Sequence, residues 1–487
     1  MVERKTAMTT ARSWLTALLP AALVLALGLI GPSAARPQAV PTTVLTPSQI
    51  GEDLAQFEEE LEGRFAYLRT NGADHGSALR ELRERAVNGM TVHQLGIEMK
   101  KIIALFIDCH AGIRGYGAPQ GYLPFGMEAI GERYVALQPD RLGFVDALHP
   151  YVSRIDGRTI ADWRRALQVV LPRGSVQHLR VFTLLYLQYL QFAREVTDLE
   201  EAPVVEVELE SEDRSRTATL TLTVSPQFVV LSAWPDAPSR ILEGNVGYLR
   251  IREWDETAAA EIAQWMPRFT GVRGLIVDVR QNPGGTRNVL RDLYPYFVSA
   301  SHPPRVAGIA KYRLYSGFGP DHLESRHMYP LSWRGWTAAE LAAIAGLMAT
   351  FQPEWAPPEA EFSDWHFWVL TKASNPQAFY RDQPIVVLMD QWCLSASDVI
   401  LSALKGMPNV TLIGEPSGGA SGAYVETTLR HSGLRLSLSS MASFQRSGQL
   451  FDGHGVEPDI VALTVPEHFL RDGPDPVLER AVNLILR

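Results

Sequence analysis

The chain of 487 residues carries 45 Lys and Arg against 54 Asp and Glu, a formal net charge of −9, and 46% of its residues are hydrophobic. This composition is typical of a globular protein of about two to four domains and excludes the disordered, collagenous and coiled-coil classes. The acidic balance argues against a nucleic-acid partner, and the two cysteines, Cys109 and Cys393, are too few for a disulfide scaffold or a four-thiolate metal cluster.

The N-terminus has the features of a targeting segment. Lys5 and Arg12 precede an apolar run from Trp14 to Gly31, and Ser33-Ala34-Ala35 supplies the small residues of a cleavage site. This pattern predicts a secretory signal peptide over residues 1–35. An uncleaved membrane anchor is the alternative, because the run is almost long enough to span a bilayer. We expect cleavage, export to the periplasm or the extracellular space, and no stable membrane insertion of the remaining chain.

A linker and a helical region come next. Three prolines among Thr and Val predict an extended linker over residues 36–47. Apolar residues then recur every three or four positions from 54 to 106, which predicts three helices. We assign residues 48–124 to an N-terminal helical region.

Residues 125–225 have the pattern of a small mixed α+β domain. Short strands are expected at 142–144 and 151–155, the second followed by the turn dipeptide Asp156-Gly157. A helix-rich stretch follows, and alternating apolar residues at 204–209 and 217–222 predict a hairpin.

Residues 226–487 contain apolar strands separated by helical windows. The strands at 246–251, 274–279, 385–389 and 410–413 are apolar enough to be covered on both faces, which predicts an α/β core. Residues 301–380 interrupt this rhythm with five tryptophans. We interpret them as an insertion that serves either as a lid or substrate wall or, more simply, as structural packing of aromatic rings.

Three short segments combine reactive side chains with tight turns. His110 stands beside Gly112 at the end of a helical window, and Asn282-Pro283-Gly284-Gly285 follows an apolar strand. Ser395 lies where another buried strand runs into an amphipathic helix, a position at which free N–H groups stabilise an oxyanion. The simpler alternatives are a structural histidine, an ordinary strand-to-helix turn, and a helix cap formed by Ser395 or Ser397.

The order of these segments resembles the C-terminal-processing (tail-specific) serine peptidases and their tricorn-core relatives. The stretch 274–285 resembles their strand and glycine turn, and Ser395-Ala396-Ser397-Asp398 resembles their nucleophile motif. The stretches 414–417 and 455–460 resemble two further signatures. The resemblance implies a crotonase-like or ClpP-like α/β core and a PDZ-like domain at about 125–225.

The resemblance also assigns roles to individual residues. Ala420 stands where the Ser-Lys branch has its lysine, so another base is required, and the Ser-His-acid branch implies a triad of Ser395, His110 and Asp452. The implied oxyanion donors are the N–H groups of Gly285 and Ala396.

The chain departs from the family at two positions. Asp452 replaces the usual Glu, and Cys109 replaces the serine that precedes the histidine in the tricorn type. Glu457 is the weaker alternative acid and His454 the weaker alternative base, and Asp398 is expected to cap its helix.

The predicted function is therefore that of an exported serine endopeptidase that acts on polypeptides without a cofactor. No metal site is expected, because His322 and His327 lack a carboxylate or thiolate set. The cysteines are either bridged or two buried thiols. The rival function is that of a catalytically inactive ligand-binding protein on the same scaffold, and a crotonase-like thioester hydrolase is a third.

Overall fold

The computed structural model describes residues 40–376, 378–380 and 382–487. The predicted signal peptide and residues 36–39 of the predicted linker lie outside the described residues. No helix among the described residues is both long and apolar enough to cross a membrane.

The three predicted N-terminal helices are present. They span Pro47–Arg64, His75–Arg85 and Val92–Ile103. The first and third helices begin with capping boxes. The hydroxyls of Thr46 and Thr91 accept from the N–H three residues on, and the side-chain oxygen of the glutamine at that position accepts from the N–H of the threonine. The end of the predicted linker forms the strand Val44–Leu45, which pairs with Met90–Thr91.

An antiparallel sheet follows the helical region. Its strands are Gly126–Ile130, Arg133–Leu137, Tyr151–Ile155, Arg158–Thr159, Val204–Glu210 and Thr217–Thr223. Between the fourth and the fifth strand the chain forms the helices Ile160–Leu167, Val176–Gln188 and Leu190–Glu195. The last two strands form the predicted hairpin in continuous register.

The prediction of a strand at 142–144 is wrong. Only Phe144 makes a single bridge, to Leu137. The carboxylate of Asp140 accepts from the N–H of Leu142, and Arg141 has a positive φ of 59°, so the chain turns instead of extending.

The α/β fold class is confirmed by the largest parallel sheet. Its neighbouring strands, in spatial order, are Arg240–Leu242, Val246–Arg250, Leu275–Asp278, Ile385–Met389, Val410–Gly414 and Ile460–Val461. All pairs are parallel except the first. Three of the inner strands are buried at every residue, since helices cover both faces. The crossover and flanking helices are Glu256–Trp265, Asn288–Leu293, Ala396–Leu404 and Pro476–Leu486.

The Trp-rich insertion builds a second sheet. Strands Arg305–Tyr312, His366–Leu370 and Tyr329–Pro330 join Met441–Phe444 from the core, with helix Ala338–Met348 beside them. The tryptophans pack on other aromatic rings: Trp333 on Tyr329, Trp355 on Phe362, and Trp365 on Phe444. These contacts support the packing interpretation of the insertion.

A three-stranded sheet joins the N-terminal region to the core. Gly112–Arg114 pairs with Arg435–Ser439, which pairs in turn with Tyr424–Thr428. This sheet places the segment that follows the third helix against the last quarter of the chain.

A buried ion cluster holds the start of the glycine turn. Arg280 donates to Asp278 at 2.6 Å and to Asp475 at 2.7 Å, and the Tyr248 hydroxyl donates to Asp278 at 2.7 Å. Although burial disfavours its charge, Arg280 and Arg250 hold the pKa of Asp278 well below its usual range.

We expect Arg280→Ala to lower the free energy of unfolding by about 3–5 kcal/mol, because it leaves the Asp278 carboxylate buried beside a vacated partner. Chemical denaturation at neutral pH measures the change. Arg273→Ala, at an exposed arginine two residues before the same strand, is the matched control and should cost less than about 0.5 kcal/mol. Equal costs for the two variants would contradict the assignment.

Candidate active site

Ser395 occupies a strained position between strand Ile385–Met389 and helix Ala396–Leu404. Its φ of 57° and ψ of −116° are unusual for a residue with a side chain. It is partly exposed, and its side chain makes no capping hydrogen bond. The capping alternative is therefore wrong for Ser395.

Ser397, by contrast, is a buried structural residue. Its hydroxyl donates to the Asn282 carbonyl at 2.8 Å and accepts from the Trp254 indole at 2.8 Å. It thus ties the helix that follows Ser395 to the glycine turn.

The glycine turn lies directly against Ser395. A Cβ added to Gly284 would lie 2.7 Å from the Cβ of Ser395 and 3.1 Å from the amide nitrogen of Ala396. The Leu394 N–H also donates to the Asn282 carbonyl at 3.3 Å. The close approach requires glycine at position 284, where φ is +119°.

The two N–H groups predicted as oxyanion donors have no protein acceptor within the part of the chain that the structure describes. They belong to Gly285 and Ala396. Their neighbours are paired: Gly284 donates to the Asn282 side chain at 2.9 Å, and Thr286 donates to the Trp254 carbonyl at 2.6 Å. Two free donors beside a serine form the arrangement that binds developing negative charge.

Asp398 does more than cap its own helix. Its buried carboxylate accepts from the Ser417 hydroxyl, from the Gly419 N–H at 3.1 Å and from the Ala420 N–H at 2.8 Å. Burial raises the pKa of Asp398 to about 7 despite these donors. The sequence did not predict these contacts between Asp398 and residues 417–420. The available signal was the position of an acidic residue three after Ser395 in the nucleophile motif.

His110 lies between Asp108 and strand Gly112–Arg114. Its N–H donates to the Asp108 carboxylate at 2.9 Å, and its ring is buried and stacked near Tyr424 with centroids 6.3 Å apart. Nδ1 is buried, and none of the residues that the structure describes forms a hydrogen bond with it. Burial, with a smaller contribution from the positive charge of Arg326, lowers the pKa of His110 to about 3.

Asp452 lies beside His110. One of its oxygens, a His110 ring nitrogen and the Cys109 sulfur lie within 4.8 Å of one another. Its carboxylate accepts from the Tyr67 hydroxyl at 2.7 Å and from the Ser421 N–H at 3.3 Å. Burial and the charge of Asp108 raise the pKa of Asp452 well above its usual range. Sequence reasoning gave no signal for Tyr67, which comes from the N-terminal region.

The structure brings His110 and Asp452 together, but among the described residues no hydrogen bond joins the His110 ring to Asp452 or to Ser395. The loop 417–422 contacts both the Ser395 segment and His110. At one end it binds Asp398, three residues after Ser395, and at the other a Cβ on Gly422 would lie 3.5 Å from Nδ1 of His110.

The alternative acid and base lie elsewhere. Glu457 is exposed, and His454 is exposed and pairs with Glu354 at 2.9 Å. His322 and His327 contact Ser440 and Asn288 respectively. Both cysteines are buried free thiols, and Cys393 donates to the Val279 carbonyl at 3.0 Å.

An apolar cavity of about 150 Å³ opens beside the glycine turn. Gln281, Pro283 and Trp392 line its side nearest the site. The opposite side comes from the antiparallel sheet region and the segment after it, with Met127, Leu184, Leu185, Phe228 and Leu231.

Comparison with known proteins gives a family match within the core. Residues 245–462 match peptidase family S41. The match contains Ser395, Gly285, Ala396 and Asp452 but not His110, and it confirms the predicted enzyme class, a serine-type peptidase.

Solved structures share this fold. Mature CPAF superposes with a TM-score of 0.63 at 15% sequence identity, and the match covers 90% of this chain and 97% of the CPAF chain. The structure of mature CPAF complexed with lactacystin gives a TM-score of 0.61 at 15% identity, covering 90% of this chain and 98% of the other. The photosystem II D1 C-terminal processing protease gives 0.45 at 17% identity over 91% and 98%. The likeness to CPAF extends the shared fold beyond the S41 residues.

We expect Gly284→Ala to lower the free energy of unfolding by about 1–3 kcal/mol, because the new methyl group meets Ser395 and the backbone of Leu394. Gly131→Ala is the matched control, since Gly131 also has a positive φ but open space around it, and should cost about 1 kcal/mol or less. Urea denaturation compares the two. A smaller cost at Gly284 would contradict the close approach.

We expect the His110 ring to remain neutral from pH 5 to 8, because its pKa is lowered to about 3. The unfolded chain binds a proton that the folded chain does not, so His110 lowers stability as the pH falls from about 6.5 to 3. Proton–carbon NMR of the ring, assigned with His110→Gln, measures the titration. A midpoint near 6.5 would contradict this prediction.

Proposed function

We propose that the protein is an exported endopeptidase that hydrolyses peptide bonds through an acyl-enzyme on Ser395, with His110 as general base and Asp452 as its orienting acid. The observation that carries the proposal is the geometry of Ser395. Its side chain caps nothing, its backbone is strained, and two unpaired N–H groups lie next to it. Strain of this kind is retained at sites where it serves chemistry.

In this mechanism Ser395 attacks the substrate carbonyl while His110 takes its proton, and His110 then donates that proton to the leaving amine. The oxyanion binds the N–H groups of Gly285 and Ala396. A water molecule activated by the same imidazole releases the acyl group. A general base must come within about 3.2 Å of the proton donor, so the His110 ring must turn toward Ser395 when substrate binds.

The surrounding charges favour this role for His110. A base must be neutral to accept a proton, and burial keeps the ring neutral in the free protein. Once protonated, the imidazolium lies near the carboxyl groups of Asp108 and Asp452, which form no ion pair with lysine or arginine among the described residues. These groups therefore stabilise the cation that the transition state creates.

The cavity beside the glycine turn supports a polypeptide substrate. It is mainly apolar and reaches Gln281 and Pro283, so a peptide side chain bound there would place its carbonyl near Ser395.

We further propose that residues 125–225 act as a PDZ-like module that presents substrate chain termini, and that residues 1–35 direct export. Unchanged cleavage of a substrate with an amidated C-terminus would refute recognition of the chain terminus.

We expect Ser395→Ala and His110→Ala each to lower kcat by at least about 10³-fold and to abolish labelling by a fluorophosphonate, because nucleophile and base act as a unit. Asp452→Asn should lower kcat by about 10²- to 10⁴-fold. His454→Ala and Glu457→Gln are the matched controls and should retain kcat within about twofold. Hydrolysis of a protein substrate by the purified protein supplies the rates.

The same cavity favours the rival function, in which the scaffold binds an apolar ligand without catalysis. Absence of fluorophosphonate labelling, together with tight binding of an apolar fluorescent probe, would replace the peptidase proposal by this one. Turnover of acyl thioesters without peptide cleavage would instead support a thioester hydrolase.

A further inference from the structure

A buried trio of metal-ligand types contains the proposed general base and its orienting acid. The Cys109 sulfur, a His110 ring nitrogen and an Asp452 carboxylate oxygen lie within 4.8 Å of one another. Their side chains are buried, with exposures of 5%, 5% and 1%. Cys109 and Asp452 are 343 residues apart in sequence, so the linear pattern could not reveal this group, and the sequence analysis predicted no metal site.

Two members of the trio, His110 and Cys109, lack good hydrogen-bond partners among the described residues, whereas Asp452 accepts from the Tyr67 hydroxyl. Nδ1 of His110 is buried and has none. Within the described part of the chain, the Cys109 thiol has two long contacts, 3.7 Å to Asp452 and 3.8 Å to the Gly419 carbonyl. A buried imidazole nitrogen without a partner is costly, and a ligand that accepts its lone pair removes the cost.

The local charge also calls for a cation. Asp108 and Asp452 are both buried, and no lysine or arginine pairs with either of them within the described ranges. Buried carboxylates are normally paired or coordinate a metal ion. A divalent cation would offset the negative charge of Asp452 and of a Cys109 thiolate together.

The spacing fits a tetrahedral ion after a small adjustment. Zinc binds sulfur at about 2.3 Å and nitrogen or oxygen at about 2.0–2.2 Å, so two of its ligands lie about 3.3–3.6 Å apart. The sulfur-to-oxygen separation of 3.7 Å is already close to this, and the other pairs, at 4.8 Å or less, need to close by about 1.5 Å at most. Rotation of the His110 side chain supplies a shift of that size.

We propose that Cys109, His110 and Asp452 bind Zn²⁺ as a three-ligand site with one position left for water. Thiolate and imidazole together favour zinc over the oxygen-seeking ions Ca²⁺ and Mg²⁺. Binding displaces to solvent the thiol proton of Cys109 and the carboxyl proton of any protonated Asp452, while His110 coordinates as the neutral imidazole and Asp452 as the carboxylate. Tyr424, which is 42% exposed, lies against the His110 ring and separates it from solvent on that side.

The functional consequence rests on the proposed function. Zinc occupies the lone pair of the proposed base and the carboxylate that orients it, so Ser395 loses its proton acceptor. Zinc is thus a reversible inhibitor of the peptidase, and chelation restores activity.

Binding is tested first, on Ser395→Ala protein, so that the result does not depend on hydrolysis. Titration with Co²⁺, a spectroscopic substitute for zinc, should produce thiolate-to-cobalt charge-transfer absorption, and calorimetry with Zn²⁺ should give one site per chain. Adding Cys109→Ser should abolish the absorption and weaken zinc binding by at least about 100-fold, since loss of a group that merely orients a ligand already costs about 10- to 100-fold.

Cys393→Ser in the same background is the matched control, because it removes the other buried thiol but leaves the trio intact. It should retain both signals. Equal loss in the two cysteine variants, or zinc binding that survives Cys109→Ser, would overturn the site. Cys109→Ala with a native circular dichroism spectrum excludes misfolding as the cause of any loss.

Inhibition is tested next, with the protein that carries Ser395. Zinc should slow peptide hydrolysis, EDTA should reverse the effect, and Cys109→Ser should shift the inhibitory zinc concentration upward by at least about 100-fold. Zinc binding in a protein that hydrolyses no peptide would refute the proposed function and leave the site standing. Hydrolysis without zinc binding would refute the site alone.

Discussion

The carboxylate of Asp108 holds the His110 segment against the core. It accepts from the N–H of Ser439 at 3.0 Å, from the Ser439 hydroxyl at 2.9 Å and from the N–H of His110 at 2.9 Å. The adjoining strand Gly112–Arg114 extends the attachment by pairing with Arg435–Ser439. Without this contact the imidazole and the serine would belong to separate parts of the molecule, because the parallel sheet positions only Ser395 and the glycine turn.

Loop 417–422 connects the two halves of the site. Asp398 holds its first part through the hydroxyl of Ser417 and two N–H groups, and the Ser421 N–H donates to Asp452. Ala420, where the Ser-Lys branch has a lysine, contributes only its backbone to this arrangement. The site therefore contains buried carboxyl groups and an uncharged imidazole instead of a buried ammonium group. Because no lysine charge lies at position 420, the site can accept a positive charge, either a proton or a metal ion.

Much of the fold was predictable because it depends on short-range patterns. Helical periodicity located the three N-terminal helices, alternation located the hairpin, and apolar runs located the inner strands. The strand predicted at 142–144 failed because a local turn at Asp140 and Arg141 overrides the apolar pattern. Strands Gly126–Ile130 and Arg133–Leu137 went unpredicted; each is buried at four of its five residues, so neither shows the alternation of a strand with one exposed face.

The sequence by itself determined the chemical groups available and the two tight turns that present them, because a serine at a strand-to-helix junction and a glycine pair after an apolar strand are local features. It also carried the resemblance to a peptidase family, and the match of residues 245–462 to peptidase family S41 lies within the predicted core. Only the tertiary structure decided that Tyr67 holds Asp452, that Asp398 braces a distant loop, and that Cys109 lies beside both His110 and Asp452. The physical reason is that these contacts join residues far apart in sequence, so they depend on how sheets and loops from different regions pack and not on any periodicity along the chain.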